Sequence, residues 1–197
     1  MGISPSSQTT HKIVSIDDFL AGLRQLREPD FSGVIGTLEY LRAHRVDAES
    51  LQPYLFWNSQ HYTRNLIDKT DLYELLAICW EVGMKSSIHN HKGQNCWMAA
   101  PMGKLAVQNY RVISEDLGAH ACNIVPTDVV NITEENPVAV DPLNPVHDVR
   151  NLREWNQRAV SLHIYSRPFD SCVVYSVEQG TCGEIGLQYT SKYGKLC

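Results

Sequence analysis

The 197-residue chain is 43% hydrophobic, 20% charged and 9% aromatic, the balance of an ordinary globular protein. A chain of this size can bury a core without disulfides or a structural metal, so a metal site found in it is expected to be functional. A net charge of -5 and the lack of any Lys/Arg block exclude the footprint of a nucleic-acid binder, and no apolar run approaches the roughly 18 residues that would cross a bilayer. Neither nucleic acid nor membrane is therefore an expected partner. The start, Met1-Gly2-Ile3-Ser4-Pro5-Ser6, lacks the basic and apolar parts of a secretory signal, which makes a reducing, cytoplasmic setting and buried free thiols the expectation for the six cysteines. Gly2 and Ser6 also match the loose myristoylation pattern, with Pro5 atypical for it.

In chain order, residues 1–12 are polar and read as a frayed tail. Ser15 followed by Asp17 and Asp18 marks a helix start, and Phe19, Leu20, Leu23 and Leu26 recur at helical spacing until Pro29. Val34, Ile35, Leu38 and Leu41 make the stripe of a second helix, and a third is predicted from Ala48 towards Trp57, closing a helical part over 15–66. From residue 70 short apolar runs alternate with Gly, Pro, Asn and Asp. Strands are predicted at 75–81, 87–91, 96–99, 104–112, 122–125, 129–132, 159–165, 171–176 and 182–189, with 134–155 as a long connection. The pattern predicts one mainly β domain: a small barrel or sandwich with the N-terminal helices packed on its outside.

The sharpest local signal is Ser86-Ser87-Ile88-His89-Asn90-His91, followed by Cys96. Residues two apart in a strand share a face, so His89 and His91 can aim two imidazoles at one metal, with a turn at 92–95 bringing Cys96 back alongside. A bare His-x-His more often faces solvent, so a third ligand is required. His147, in a β-textured segment far downstream, is the better candidate among the remaining histidines, with His120 next. No carboxylate follows His91 at the spacing of a two-His, one-carboxylate set. In Ser161-Leu162-His163-Ile164-Tyr165, alternation puts Ser161, His163 and Tyr165 on one face, as a relay or a wet site would require. Arg64, in Tyr62-Thr63-Arg64-Asn65, could clamp a carboxylate.

Taken together, His61-Tyr62-Thr63-Arg64-Asn65, Cys79-Trp80, the His89/His91 segment, Cys96, Gly103-Lys104-Leu105, the stretch from Ser161 to Cys172 and Ser191-Lys192-Tyr193-Gly194 resemble cysteine dioxygenase, a thiol dioxygenase family of the cupin superfamily. The resemblance covers about two thirds of the chain, in order. It implies a cupin-type small β-barrel with an N-terminal helical cap, and Fe(II) held by His89, His91 and His147. It further implies Arg64, assisted by Tyr62, on the carboxylate of L-cysteine, with Cys172 in the pocket wall. Tyr165 would stand beside the iron with His163 and Ser161 behind it, joined to Cys96 by a thioether. Oxygen is the implied co-substrate, cysteine sulfinic acid the product, and a monomer the expected state. Asn90, the stretch 97–103, Val173 and the connection 134–158 depart from common family sequences and bear on substrate identity. The rival readings are a dioxygenase for another small thiol such as 3-mercaptopropionate, against which Arg64 argues, and a cupin that binds metal without catalysis.

Overall fold

The computed structural model describes residues 11–197, so the Gly2/Ser6 pattern and most of the polar tail fall outside the described residues. The helical part opens with strand β1 (Lys12–Val14) and helix α1 (Ile16–Leu23), whose first turn is capped by the Ser15 hydroxyl accepting from Asp18 N–H at 3.1 Å. Helices α2 (Glu28–Ser32) and α3 (Ile35–Ala43) follow, then β2 (His44–Val46), which pairs in parallel with β1. Three expectations are corrected here. The first helix ends at Leu23, short of Leu26, and Pro29 sits at the start of α2, where its missing N–H costs nothing. The third helix is a short 3-10 segment, Glu49–Tyr54, with Pro53 inside it. The helical cap stops before Thr63, not at residue 66.

Thirteen strands follow. They are β3 (Thr63–Lys69), β4 (Tyr73–Trp80), β5 (Ile88–His89), β6 (Cys96–Met102), β7 (Leu105–Asp116), β8 (Ala121–Ile132) and β9 (Val138–Ala139). After these come β10 (Val146–Arg150), β11 (Ala159–Ser166), β12 (Ser171–Ser176), β13 (Thr181–Gly186), β14 (Ser191–Lys192) and β15 (Lys195–Leu196). They form a seven-stranded sheet in the order β15-β14-β3-β4-β11-β6-β9 and a closed six-stranded ring, β10-β5-β12-β13-β8-β7. The runs 122–125 and 129–132 are one strand rather than two. Pro126, which cannot donate to a ladder, lies beside a shift of register against β7, and the strand continues through it as a bulge. The 134–155 connection likewise contains β9 and β10.

The seven-stranded sheet is covered on both faces, which is why β4 is buried along its whole length. Tyr73, Leu75, Ala77 and Cys79 pack with Phe19, Leu23, Phe31 and Leu51 of the cap, whereas Leu76, Ile78 and Trp80 face Met98, Leu105, Val107 and Val149 in the space between the sheets. Alternation thus sends every second residue of β3, β4 and β11 into that inner space. Among the described residues no helix is long and apolar enough to cross a membrane, and the cysteines are free thiols, four of them buried.

Candidate active site

Antiparallel pairing of β10 with β5 sets His147 opposite His89, and His91 follows two residues after His89, just beyond the end of β5. The three rings converge, with centroids 4.8 Å (His89–His147), 4.9 Å (His91–His147) and 5.2 Å (His89–His91) apart. One nitrogen from each lies within 4.8 Å of the others. His91 and His147 are fully buried and, among the described residues, neither ring nitrogen of either has a hydrogen-bond partner, an arrangement that buried polar groups avoid unless a ligand satisfies them. His89 is half-buried, and its Nδ1 donates to Ser87 C=O at 2.9 Å, which leaves Nε2 as the lone pair facing its partners. Burial, then mutual repulsion among the rings, holds His91 well below its ordinary pKa; burial first and then neighbouring histidines do the same for His147, and burial lowers His89. The set is therefore neutral and available to a metal, with no carboxylate among its members. His120 sits in the turn between β7 and β8 with Nδ1 3.3 Å from Cys182 C=O, and His44 stacks on Tyr40; neither joins the cluster.

Next to this cluster β11 presents its alternate residues as a chain of hydrogen bonds. Trp80 Nε1–H donates to Ser161 Oγ at 2.9 Å, Ser161 Oγ lies 2.8 Å from His163 Nε2, and His163 Nδ1 lies 3.1 Å from Tyr165 Oη. Burial lowers His163 to about 3, so its ring is neutral and links the Ser161 and Tyr165 hydroxyls through its two nitrogens. The Tyr165 hydroxyl keeps its proton, burial pushing the phenol well above its ordinary range. The expected common face of Ser161, His163 and Tyr165 is thus observed, while Leu162 and Ile164 join the cap-side core.

Both groups open onto one small cavity of about 30 Å³, lined by Tyr62, Arg64, His89, His91, Tyr165, Phe169 and Cys172 among others. Arg64 Nε and Nη2 are buried without partners, and Tyr62 stacks on Trp80 at 4.8 Å. A buried guanidinium with unmet donors has the chemistry to bind an anion. Cys96 is placed differently from expectation. The 92–95 turn does not return it beside β5; β6 runs in the other sheet, where Cys96 pairs directly opposite Tyr165. Two residues not foreseen complete the site. Phe169 stands edge-on to Tyr165 at 5.0 Å and near His91 at 6.1 Å, in an irregular turn where no periodicity could announce it. Glu74, a lone carboxylate in an apolar strand, is fully buried opposite Tyr165.

A family model for cysteine dioxygenase type I matches residues 4–178. The chain belongs to that family. Its relatives include the cysteine dioxygenase type 1 of Danio rerio, 25% identical over 182 residues (92% of this chain, 89% of the relative), and that of Homo sapiens, 28% identical over 185 residues (91% and 88%). Among solved structures it is similar to a double-stranded β-helix protein from Klebsiella pneumoniae (TM-score 0.43, 13% identity, covering 59% of this chain and 81% of that one). It is also similar to a cupin superfamily protein from Desulfitobacterium hafniense (TM-score 0.41, 11% identity, 58% and 84%). The fold is the mainly β, cupin-type barrel with a helical cap that the sequence predicts. Family membership supports a thiol dioxygenase role, and the buried histidine triad fits a metal site.

Proposed function

We propose that the protein is a cysteine dioxygenase, converting L-cysteine and O2 to cysteine sulfinic acid at a mononuclear non-haem Fe(II) held by His89, His91 and His147. The observation that carries this reading is the convergence of three neutral imidazoles, those of His91 and His147 without hydrogen-bond partners among the described residues, beside the buried, unmatched donors of Arg64. Three neutral ligands leave a divalent cation its full charge, which suits an anionic thiolate. When bound, Fe(II) supplies Lewis acidity towards the thiolate and relieves the spin restriction on O2.

The remaining work falls to side chains of this chain. Arg64 binds the substrate carboxylate, assisted by Tyr62, and so fixes the sulfur end of a small thiol against the histidines. Cys172 and Phe169 wall the pocket and limit its size. Tyr165, held by the Trp80–Ser161–His163 chain and kept protonated by its burial, offers its hydroxyl to the reacting group. The balance is simple: one thiol and one O2 give one sulfinic acid, with no other reductant. The direct pairing of Cys96 with Tyr165 supports a thioether between them, formed by loss of the thiol hydrogen and one ring hydrogen to an oxidant, O2.

Oxygen uptake by the iron-loaded protein with L-cysteine, cysteamine and 3-mercaptopropionate tests the reading. One sulfinate formed per O2 consumed, with L-cysteine preferred, is the expected result. Preference for 3-mercaptopropionate would overturn the substrate, and iron binding without O2 uptake on any thiol would overturn the enzyme.

A further inference from the structure

Arg64 is placed by β3, but nothing in the cavity hydrogen-bonds the two buried donors that would read a carboxylate. What lies against it is Tyr189. The guanidinium carbon is 6.0 Å from the Tyr189 ring centroid, and the backbones are tied, with Thr190 N–H donating to Arg64 C=O at 2.7 Å and Arg64 N–H to Thr190 Oγ1 at 3.3 Å. The exposed Lys69 and Lys192 also approach the ring, at 5.9 and 5.3 Å. The ring's far end is held in turn: the Tyr189 hydroxyl donates to Glu74 Oε2 at 2.5 Å. Glu74 is fully buried, pairs across the strand with Tyr165, and has no partner for Oε1 among the described residues. A leucine, as at the next inward position, Leu76, would serve packing better than a buried carboxylate does.

We infer that Glu74 and Tyr189 are positioning residues for Arg64, Tyr189 carrying the guanidinium on its ring face and Glu74 locking the ring by accepting its hydroxyl. The pair thereby sets the preference for thiols that bear a carboxylate. A flexible arginine must lose rotamer freedom to form a bidentate contact, and a fixed aromatic face removes part of that loss before the ligand arrives. Burial pushes the Glu74 carboxyl above its ordinary pKa, and the hydrogen bond from Tyr189 is the contact through which it acts here. This inference rests on Arg64 being the carboxylate anchor.

The test is anaerobic equilibrium binding of L-cysteine and of cysteamine, which lacks the carboxylate, to the iron-loaded protein. It covers wild type, Arg64→Ala, Tyr189→Leu, Glu74→Leu and Glu74→Gln, with thermal unfolding of each. Tyr189→Leu and Glu74→Leu are expected to weaken cysteine about tenfold and leave cysteamine within about twofold, whereas Glu74→Gln, which still accepts the hydroxyl, keeps wild-type affinity for both. Equal weakening of both thiols would show a merely structural pair and overturn the inference. So would a Glu74→Gln variant as impaired as Glu74→Leu, since charge and not position would then matter. If Arg64→Ala abolishes the preference and Tyr189→Leu leaves it intact, the pair's role falls and Arg64 stands. If wild type shows no preference for cysteine, the anchor itself falls, and the positioning role with it.

Discussion

Where the cap meets the sheet, Arg24 reaches from the end of α1 to Asp68, its Nε and Nη2 donating at 3.1 and 2.8 Å, and the Tyr73 hydroxyl completes the carboxylate at 2.5 Å. A second cluster of the same three residue types lies on β10, where Arg150 grips Asp148 and Tyr110 donates to the same carboxylate at 2.9 Å. One residue from Asp148 is His147, whose ring nitrogens are buried with no hydrogen-bond partner among the described residues. Arg64 likewise has no carboxylate. The molecule therefore holds two kinds of buried polar cluster built from similar side chains. Those that are saturated by one another join secondary structures. The open nitrogens of His91, His147 and Arg64 gather instead at the candidate site. Hydrogen-bond saturation, more than residue type or burial, separates fold from function here.

The comparison breaks most completely at the histidines. Replacing His89, His91 or His147 by Ala is expected to abolish stoichiometric iron binding and O2 uptake, measured by metal analysis and an oxygen electrode, while urea unfolding of the metal-free protein stays near wild type. His120→Ala should retain both, and retention by His147→Ala instead would remove it from the ligand set. Arg64→Ala comes next. A buried charge-assisted pair contributes about 1.5–3 kcal/mol, so the KM for cysteine should rise roughly 10- to 100-fold while that for cysteamine hardly moves. Equal losses on both thiols would mean that Arg64 supports the pocket rather than reading the substrate.

The saturated side behaves in the opposite sense. Asp68→Ala should leave iron stoichiometry intact and lower stability by about 1–3 kcal/mol, chiefly because the buried Tyr73 hydroxyl loses its acceptor; Arg24 is half exposed and is solvated instead. Its pH dependence carries a definite sign. Burial works to raise the Asp68 carboxyl, but hydrogen bonds from Arg24 and Tyr73 outweigh it and hold the folded value below the ordinary 3.8. The contribution is therefore complete above about 3.8 and is lost as pH falls through the lower folded value. The stability gap between wild type and Asp68→Ala, from urea unfolding, should be constant from pH 7 to 5 and narrow in stronger acid. A gap that widens on acidification would show that Asp68 is not the ionised partner.

Period-two alternation made the strand chemistry legible: it set Ser161, His163 and Tyr165 on one face and paired His89 with His91. Pairings between distant segments are less legible. The β texture of 145–151 singles out His147 as the candidate third ligand, but that it lies opposite His89 depends on β10 pairing with β5, 58 positions earlier in the chain. The sequence predicts helix up to residue 66, where β3 already runs; the bulge between Leu66 and Asp68 breaks the strand alternation by turning both Ile67 and Asp68 to the cap. Glu74 lies just outside the predicted strand 75–81 but inside the observed β4, and a single carboxylate in Tyr73-Glu74-Leu75-Leu76-Ala77-Ile78 is itself a signal that something must compensate its burial.

The smallest expected effect, and the one that sharpens the line between the two kinds of cluster, concerns Cys96. Its thiol is fully enclosed and burial holds it well above its ordinary pKa, so it is no ready nucleophile, and its partner across the ladder is Tyr165. A thioether would convert a packed neighbour into a covalent brace on the ring that ends the Trp80–Ser161–His163 chain. The hydrogen bond with His163 already fixes the Tyr165 oxygen, so the brace refines a position rather than creating one. Cys96→Ser should therefore keep iron binding and far-ultraviolet circular dichroism and slow turnover several-fold, less than Tyr165→Phe, which also removes the donated proton. Intact mass after incubation with Fe(II), cysteine and O2 decides the covalent claim: loss of two hydrogens in wild type and none in Cys96→Ser is expected, with a Cys96–Tyr165 peptide after digestion. If wild type shows neither, the two residues are packed walls. Any slowing in Cys96→Ser then reports cavity shape, and the unsaturated cluster works by hydrogen bonds alone.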